Sequence, residues 1–301
     1  MISVVVPTYR RAWAIRFALE SLAAQTRIPD EVIVVLKPSG DGTEEVLRRF
    51  RDLPLRVVEQ RGGNVVEAYE LGIEAARGDV LLFLDDDAVA DERWVEEYEA
   101  FFAEMRQAGG AYGPVYVGRL NDGGVVKTAE LMYPQTPTRE IFYRSPLPLF
   151  EGYCGWVSRS GFMGRRPCSL PHLGALPGGA NMAWRREAVA GCPIAELYRK
   201  SRLGFWFESV LAYCARARGL HVYALPSPPV WHIQHGDSLT RRRGFWQEFW
   251  MHYDRAANFW RLKRLGAEAS LPAYLAALAA SLRRNTPPRL LATLYVLFAR
   301  Y

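Results

Sequence analysis

The sequence predicts an α/β protein with a mostly parallel sheet flanked by helices, followed by a C-terminal helical arm. Three observations lead to this prediction. In the first half of the chain, short apolar runs alternate with segments whose apolar residues recur at helical spacing. The fourth apolar run ends in three consecutive acids, at 85–87. In the segment 241–301, by contrast, aromatic residues are interleaved with Arg and Lys, and two apolar stretches follow.

The composition is that of a globular protein. The chain has 301 residues, of which 50% are hydrophobic and 23% are charged. It is long enough to bury one large core or two modest ones, and too apolar to be intrinsically disordered. The formal charge of +6 is carried mainly by Arg, since Lys occurs only at 37, 127, 200 and 263. Arg favours bidentate contact with phosphate or carboxylate groups, although genome base composition explains an excess of Arg equally well.

The four cysteines, at 154, 168, 192 and 214, include no C-x-x-C pair. Their spacing supports neither a zinc ribbon nor a redox motif, and we expect buried free thiols in a reducing compartment. The N-terminus begins with a strand and not with a signal peptide. No apolar stretch reaches the ~20 residues needed to span a bilayer. We therefore expect a cytoplasmic protein.

The first predicted strand, at 2–9, is a continuous Val-rich run closed by Pro7, as is typical of a buried parallel strand. A helix follows, because apolar residues recur there at i, i+3 and i+4 spacing. The residues on this face are Ala14, Phe17, Ala18, Ser21 and Leu22. The second strand is "EVIVVL" at 31–36, and the turn "SGDGT" at 39–43 leads into a helix at 43–51.

The third and fourth strands are predicted at 55–60 and 79–84, with a helix near 65–77 between them. After the acids, Asp91 is predicted to cap another helix. An apolar stripe runs along this helix and is expected to belong to the core, and its residues are Trp94, Tyr98, Phe101, Phe102 and Met105.

Repeated strand–helix–strand units predict a parallel sheet with helices on both faces. In such sheets, ligands bind at the carboxyl ends of the strands, where the strand order reverses. Thr8, Tyr9 and Arg10, the loop after Leu36 and the acids at 85–87 all lie at such ends. We therefore expect them to converge on one crevice, which is predicted to bind a nucleotide.

The acids at 85–87 are predicted to bind a metal ion. Alternate residues of an extended segment point the same way, so Asp85 and Asp87 share a face while Asp86 points elsewhere. Two carboxylates on one face suit Mg²⁺ or Mn²⁺. The alternative is a solvated acidic loop, but an apolar strand that delivers the acids to the ligand edge of the sheet favours the metal site.

Several motifs, in order, resemble family 2 glycosyltransferases of the GT-A fold. They are "SVVVPTYRR", "DEVIVV", "SGDGTEEVL", "LGIEAARGDVLLFLDDDAVAD", "LPGGANMAWRREAV", "FWFESVLAYCARARG" and "VWHIQHGDS". The resemblance covers about residues 1 to 240. It implies a Rossmann-like GT-A domain that transfers a sugar from a nucleotide donor with inversion and uses a divalent metal. The expected division is a nucleotide-sugar-binding half at 1–115, an acceptor-binding half at 116–240 and an amphipathic helical arm at 241–301.

The resemblance also implies roles for particular residues. Asp85 and Asp87 would hold Mn²⁺ or Mg²⁺, and His232 would complete the metal shell, with His235 as a local competitor. The family's general base belongs to a pair of acids that opens a helix. Here the pair reads Glu208 and Ser209, so Glu208 is the candidate base. The alternative role for Glu208 is to cap or orient that helix.

The nucleotide sugar is expected to contact residues from several motifs. Gly179 lets the backbone approach the donor, Asn181 is a candidate to bond a sugar hydroxyl, and Arg185, Arg186 and the run 241–243 are candidate diphosphate ligands. A solvated basic face is the alternative for that run. The full set of nucleotide-sugar contacts is Pro7, Thr8, Tyr9, Arg10, Lys37, Asp85, Asp86, Gly179, Asn181 and Arg243.

The sequence departs from the family at the base-reading position. The family usually reads "VVDDGS" after the second strand, with an acid that pairs with the uracil N–H, whereas this chain reads "VVLKPS". Leu36 cannot replace that hydrogen bond, so a GDP-sugar, with mannose as the best guess, is favoured over a UDP-sugar. Asp41 survives in the next turn, where it also suits the turn itself.

Two alternatives to a glycosyltransferase remain open. A sugar-phosphate nucleotidyltransferase uses a similar sheet and metal, but should carry a Gly-rich, Lys-bearing phosphate loop where this chain has "PTYRRAW". A non-catalytic carbohydrate-binding protein would explain the loss of the second acid at Ser209.

The arm is expected to contact a membrane. The segment 245–266 combines aromatic and basic residues, which suits an amphipathic element at a bilayer interface. The alternative is an arm that folds back over the sheet or forms a dimer contact. Membrane contact through 245–301 would place the enzyme at the inner face of the cell membrane, with a glycan or a lipid-phosphate-linked glycan as acceptor. We expect no nucleic-acid partner.

Overall fold

The computed structural model describes residues 1–133, 136–235, 244–282 and 286–298. The strands are β1 (Ile2–Thr8), β2 (Glu31–Leu36), β3 (Leu55–Glu59), β4 (Val80–Leu84), β5 (Ala88–Ala90), β6 (Ala108–Tyr112), β7 (Val115–Asn121), β8 (Gly124–Leu131), β9 (Gly155–Val157), β10 (Met163–Arg165), β11 (His172–Leu173), β12 (Asn181–Arg185), β13 (His221–Ala224) and β14 (Val230–Ile233). The helices are α1 (Ala12–Ala23), α2 (Thr43–Leu47), α3 (Val65–Ala75), α4 (Trp94–Glu104), α5 (Arg186–Val189), α6 (Ile194–Tyr198), α7 (Phe207–Ala217), α8 (Phe245–Arg264), α9 (Leu271–Ser281) and α10 (Pro287–Phe298).

The central sheet has eight strands in the order β11-β13-β6-β12-β4-β1-β2-β3. The four strands β3, β2, β1 and β4 are mutually parallel. β12 lies antiparallel between β4 and β6, and β13 runs parallel to β6. The prediction of a mostly parallel sheet flanked by helices is therefore confirmed. The strand order reverses at β1, so the ends of β1 and β4 form the crevice in which such sheets bind ligands.

Burial on both faces explains why the first strands are continuous apolar runs. Every residue of β1, β2 and β4 is buried, and their alternate side chains enter two cores. One core contains Val5, Ile33 and Phe83 and packs against α3 and α7. The other contains Val4 and Leu82 and packs against α1 and α4.

A second sheet, in the order β5-β14-β7-β8, brings the C-terminal part of the chain to the acids. β5 follows the acidic triplet directly and pairs antiparallel with β14, so that His232 faces Ala88. The Ile233 N–H also donates to the Asp87 carbonyl at 2.8 Å. This pairing fixes His232 beside residues that lie far from it in sequence.

Three local predictions differ from the structure. α2 ends at Leu47 and not at 51. α4 begins at Trp94, and the Asp91 carboxylate accepts from the Arg93 N–H in the preceding turn without capping the helix. Met105 lies just beyond the end of α4 and is 43% exposed, so it does not belong to the core. These differences arise at element ends, where neighbouring turns compete with the helix for backbone donors.

The C-terminal arm, α8 to α10, folds back onto the body. α8 buries one side, including Phe249, Tyr253 and Phe259, in a third apolar cluster with Phe162 and Tyr274. The arm is helical, as predicted, and the aromatic residues of α8 divide between this cluster and the surface. Among the described helices, none has both the length and the apolarity to cross a bilayer.

The cysteine prediction is wrong. Cys154 is bonded to Cys168, and Cys192 to Cys214, with Cα–Cα distances of 6.1 and 6.2 Å. No described cysteine is a free thiol. The partners are 14 and 22 residues apart in sequence, so a search for close C-x-x-C pairs could not find them. The expectation of a reducing compartment therefore loses its basis in the cysteines.

Candidate active site

A cavity of about 710 Å³ lies at the carboxyl ends of β1, β2 and β4, where the sequence predicts a crevice. We call it the sheet-edge cavity. Its lining includes Pro7, Thr8, Tyr9, Arg11, Lys37, Gln60, Asn64, Asp85, Asp86, Asp87, Arg199, Arg202 and His232. The topology brings these residues together because parallel strands end at the same edge of the sheet.

Asp85, Asp87 and His232 form a compact group at one end of this cavity. His232 Nε2 lies 3.5 Å from Asp85 Oδ2 and 3.2 Å from Asp87 Oδ1. His232 Nδ1 lies 3.3 Å from the Ile233 carbonyl oxygen. That contact suits an Nδ1–H donor, and Nε2 faces the two carboxylates. Alternate residues of the acidic segment thus face one point.

The group fits a divalent cation. Each residue offers one ligand atom, and these atoms all lie within 4.8 Å of one another. Adjacent ligands around an octahedral ion at 2.0–2.1 Å stand about 3 Å apart, close to the two distances from His232. Two carboxylates and one imidazole suit Mn²⁺ better than Mg²⁺. Within the described part of the chain, no other group of three His, Cys, Asp or Glu side chains meets this condition.

Asp86 has a different environment from its neighbours. Arg11 Nε lies 3.8 Å from Asp86 Oδ1 and 3.8 Å from Asp87 Oδ2. Burial and the charge of Asp87 raise the pKa of Asp86 well above its ordinary value. Burial also disfavours the charged form of Asp87, but the charge of His232 and a hydrogen bond from His235 bring its pKa below the ordinary value. Asp87 is therefore the more readily ionised carboxyl of this pair.

His235 holds the other side of Asp87. Its Nε2 lies 2.7 Å from Asp87 Oδ2, and its ring packs edge-on against Trp13 at 5.0 Å between centroids. His232 and His235 thus contact different oxygens of the same carboxylate. Of the two histidines, only His232 joins Asp85 and Asp87 in one compact group of candidate ligand atoms.

Glu208 lies in the first turn of α7, close enough to Asp85 and Tyr69 for its charge to act on both. The Tyr69 hydroxyl donates to Asp85 Oδ1 at 2.9 Å. A Cβ on Gly179 would lie 3.0 Å from the Tyr69 hydroxyl and 3.3 Å from Glu208 Oε1. A larger residue at 179 would therefore crowd both side chains. Gly179 and Glu208 do not line the sheet-edge cavity but lie beside its acidic end.

Burial raises the pKa of Glu208 to about 8. The Glu208 and Gly179 peptide N–H groups oppose this rise, and the negative charge of Asp85 adds to it. A carboxyl group tuned in this way accepts a proton more readily than an ordinary glutamate, which suits a general base.

Asn181 requires a correction, because its amide is fully used inside the protein. Its Oδ1 accepts from Trp94 Nε1 at 2.9 Å and from the Tyr98 hydroxyl at 2.8 Å. Its Nδ2 donates to the carbonyls of Pro114 and Pro228. The side chain is completely buried. Asn181 therefore ties β12 to α4 and has no group left for a sugar hydroxyl.

Two arginine predictions also need correction. Arg10 is exposed, its guanidinium packs on the Tyr9 ring, and it does not line the sheet-edge cavity. Its φ of 56° turns it outward, and Arg11 enters the cavity instead. Arg185 donates to the carbonyls of Phe102 and Ala108. It pairs with Val80, at the end of β4 that lies away from the acids. Arg243 and the run 241–243 lie outside the described residues.

The end of the sheet-edge cavity beside β2, where the sequence predicts base recognition, carries a cation and an amide. Lys37 Nζ donates to the Gly63 carbonyl at 2.7 Å, and Gln60 Nε2 donates to the Asn64 carbonyl at 2.8 Å. Leu36 is buried in β2. Asp41 accepts from the Ala12 N–H and from Thr43, so its carboxylate stabilises the turn, and it does not line the cavity.

Sequence reasoning missed Tyr69, Arg11, Arg199 and Arg202. The last two come from the basic run "YRKSR" at 198–202, a signal that was available but had no motif around it. Tyr69 lies on the buried face of α3, where an aromatic residue looks like ordinary core. Only the position of Asp85 reveals its second role.

Comparisons with known proteins agree with this geometry. Residues 3–164 match the family model described as Glycosyl transferase family 2. Glycosyltransferase AglE of Haloferax volcanii is 34% identical over 101 residues, which is 32% of this chain and 33% of that protein. Chondroitin synthase of Escherichia coli is 34% identical over 106 residues, 34% of this chain and 16% of that protein. The chain thus spans a third or less of the length of these two relatives.

Solved structures share the fold at low sequence identity. TarS 1–349 of S. aureus has a TM-score of 0.58 at 16% identity and covers 98% of this chain and 78% of its own. Mannosyltransferase PcManGT from Pyrobaculum calidifontis, in complex with GDP-Man and Mn²⁺, has a TM-score of 0.52 at 21% identity, with coverage of 98% and 79%. At such identities the likeness shows the fold alone.

Proposed function

This chain belongs to glycosyl transferase family 2, and from that premise we propose that it transfers a hexosyl group from a nucleotide-diphosphate sugar to an acceptor hydroxyl by one inverting displacement. The observation that carries the proposal is the group of Asp85, Asp87 and His232 at the ligand edge of the sheet. These three residues would hold Mn²⁺ or Mg²⁺. When bound, the ion neutralises the negative charge that develops on the leaving diphosphate.

The other residues of the sheet-edge cavity bind and orient the donor. Arg11, Arg199 and Arg202 bring positive charge to the diphosphate. Tyr69 orients Asp85 through its hydroxyl. Glu208 takes the proton of the attacking hydroxyl, and its raised pKa, about 8, makes its ionised form a stronger proton acceptor than an ordinary glutamate.

The donor is proposed to be a GDP-sugar, with mannose as the hexose. Both bases carry an N–H donor and carbonyl acceptors, but only guanine presents the adjacent O6 and N7 acceptors, which Lys recognises well. Lys37 lines the base-reading end of the cavity, and the nearby acid, Asp41, is engaged in its own turn. This supports guanine over uracil.

The acceptor is proposed to be a glycan, or a glycan linked to a lipid phosphate, that meets the enzyme at a membrane surface. Large apolar side chains remain exposed on the outer face of the arm, and they are Phe245, Trp246, Leu271, Leu275, Leu290, Leu291, Leu294, Tyr295, Leu297 and Phe298. Two of the three arm helices, α8 and α10, carry Arg or Lys as well. This combination suits peripheral contact with an anionic bilayer.

The first test is a thermal-shift panel of UDP, GDP, ADP and CDP, each with Mn²⁺ and with EDTA. A ligand that binds only the folded state raises the melting temperature by mass action. We expect the largest shift with GDP and Mn²⁺, and we expect EDTA to remove it. A larger shift with UDP would keep the family and overturn the donor. No shift with any nucleotide would contradict the proposed function.

Asp87→Asn shows whether the acidic group acts through the metal. We expect it to abolish the Mn²⁺-dependent part of the shift and the metal-dependent turnover. Asp122→Asn, in the exposed turn between β7 and β8, is the matched control and should change neither. Substantial metal-dependent turnover in Asp87→Asn would remove this carboxylate from the mechanism.

A further inference from the structure

A second cavity, of about 520 Å³, lies between the arm and the body. We call it the arm cavity, and its main lining residues are Tyr143, Phe162, Trp206, His252, Arg255 and Arg289. Tyr143 and Phe162 stack in parallel with 4.9 Å between their centroids, and Trp206 meets Phe162 edge-on at 6.1 Å. The cavity therefore combines aromatic walls with cationic side chains.

Arg255 is the unusual member of this lining. Its Nε is buried and has no hydrogen-bond partner, and among the described residues its guanidinium forms no ion pair. It is held only by ring contacts, with its Cζ 5.1 Å from the Phe205 centroid and 5.5 Å from the Trp206 centroid. A largely buried charge without a partner is costly. An anionic ligand in the arm cavity would supply the missing partner.

The charges around Arg255 favour an anion in the cavity. Arg289 lines the same space, and its Nε donates to Glu248 at 2.7 Å. Burial and the charge of Arg289 lower the pKa of Arg255. Burial and the same two arginines lower the pKa of His252 to about 4, so His252 is neutral at pH 7, and its Nε2 contacts the Thr293 hydroxyl. Glu140 is the acid in the lining, and no described hydrogen bond joins it to Arg255.

The arm cavity lies beside the start of α7, the helix that carries the candidate base. Trp206 lines the cavity and immediately precedes α7, which carries Glu208 in its first turn. Trp206 has a φ of 72°, a left-handed conformation that bulky residues rarely adopt and that is held by surrounding contacts. A ligand that binds against Trp206 would therefore contact a residue only two positions before Glu208 in the sequence.

We propose that the arm cavity binds a phosphate monoester, and that this phosphate belongs to the acceptor. The second half of this statement rests on the proposed glycosyl transfer. Arg255 supplies the unpaired guanidinium fork, which matches phosphate oxygens, and the stacked rings supply an apolar wall for the group that carries the phosphate. Arg289 adds positive charge from α10, the helix whose outer face exposes Leu290, Leu294 and Phe298.

The experiment is calorimetric titration of the full chain with inorganic phosphate, hexose 6-phosphate and farnesyl phosphate, all in EDTA. We expect Arg255→Gln to weaken the tightest of these at least about tenfold, the loss expected for one charge-assisted contact. Arg255→Lys, which keeps the charge but not the fork, should give an intermediate affinity. Arg264→Gln is the matched control, because it removes the same charge from the same helix at a residue that pairs with Glu196.

The outcomes separate the possibilities. Tightest binding of farnesyl phosphate would identify a lipid-linked acceptor, and tightest binding of hexose 6-phosphate would identify a phosphorylated glycan. Equal affinity in wild type, Arg255→Gln and Arg264→Gln, or no binding of any probe to wild type, would overturn the proposal. Without ligand, Arg255→Gln should melt no lower than wild type, and a clear drop in its melting temperature would assign Arg255 a structural role instead.

The titration is independent of the donor panel. Loss of nucleotide binding with intact Arg255-dependent phosphate binding would refute the proposed function and leave the phosphate site standing. Nucleotide binding without Arg255-dependent phosphate binding would refute the phosphate site and leave the proposed function standing.

Discussion

At the scale of single residues, the candidate site depends on carboxyl groups with unequal proton affinities. Asp87 is held as an anion by two histidines, while burial raises the pKa values of Asp86 and Glu208. Such divergent environments allow neighbouring acids to take different roles. In the proposed mechanism, Asp87 binds the cation and Glu208 accepts the proton.

Glu208→Gln should lower kcat by about 10²-fold to 10⁴-fold, the usual contribution of a general base. Wild-type activity should rise with pH as Glu208 ionises, because only the ionised carboxyl accepts the proton. The pKa of Glu208 is about 8 without a metal ion, and a cation on Asp85 would lower it. The pH–rate profile of wild type measures this. Glu104→Gln, an exposed glutamate at the end of α4, is the control.

The stability of the folded protein, unlike its activity, should fall as the pH rises. Because the folded-state pKa of Glu208 is raised from 4.5 to about 8, its contribution to stability is present at low pH and is lost as pH rises through that range. The Gln side chain stays neutral at every pH, so the variant has no buried charge to destabilise it at high pH. Glu208→Gln should therefore melt at least about 2 °C above wild type at pH 9 and show a smaller difference at pH 5. An equal difference at both values would contradict the raised pKa.

At the scale of elements, α8 supports the loop that leads to α7. Asp254 Oδ2 accepts from the Ser201 hydroxyl at 2.7 Å and from the Phe205 N–H at 3.0 Å. Its Oδ1 accepts from Arg261 at 2.7 Å, and the whole group is buried. Loss of one member would leave a buried charge unpaired. The arm therefore positions the segment before Glu208 in addition to carrying an exposed apolar face.

Gly161→Ala should displace α8. Gly161 has a φ of +80°, and a Cβ there would lie 2.6 Å from the Phe259 Cα, a backbone atom that cannot move alone. Gly152 has a φ of +83° with no atom within 4 Å of a Cβ, so Gly152→Ala carries the backbone strain without the clash. We expect Gly152→Ala to cost about 1 kcal/mol of unfolding free energy. Gly161→Ala should cost about 2 kcal/mol more.

Urea unfolding and amide exchange of α8 measure this difference. Faster exchange of the α8 amides in Gly161→Ala alone would agree with a displaced helix. Equal unfolding free energies for the two variants would show that α8 does not depend on this contact.

At the scale of the whole molecule, the arm covers one cavity and presents an apolar face outward. Leu290 and Leu294 lie one turn apart on α10 and are 51% and 43% exposed. Replacing both with Glu should reduce sedimentation with anionic phospholipid vesicles at least about tenfold, because apolar contact is lost and repulsion is added. Activity on a water-soluble acceptor should be unchanged.

The matched control replaces Leu120 and Leu131 with Glu. These residues are 42% and 45% exposed on the β7–β8 hairpin, so the added charge is the same but the place differs. An equal loss of vesicle binding in both double variants would point to net charge and not to the arm. No sedimentation of wild type would refute membrane contact.

Much of the fold was predictable because its signals are local. The runs that became β1, β2 and β4 are apolar at every position, and burial on both faces requires this. The helix face that contains Ala14, Ala18 and Leu22 follows from spacing alone. Element ends were less predictable, as α2 and Met105 show, because neighbouring turns decide them.

The sequence by itself determined the parallel sheet, the edge at which its ligands bind and the identity of the acids at that edge, because strand period and chain order imply these. Only the tertiary structure decided that Asn181 is consumed by internal bonds, that Arg11 and not Arg10 enters the cavity, and that four cysteines form two bonds. It also placed Tyr69 on Asp85 and, within the described ranges, left the Arg255 guanidinium without a hydrogen-bond or ion-pair partner. Hydrogen bonds, disulfides and ion pairs of this kind join residues that are far apart in sequence. Local sequence patterns do not determine which of these residues come into contact, and the tertiary fold does.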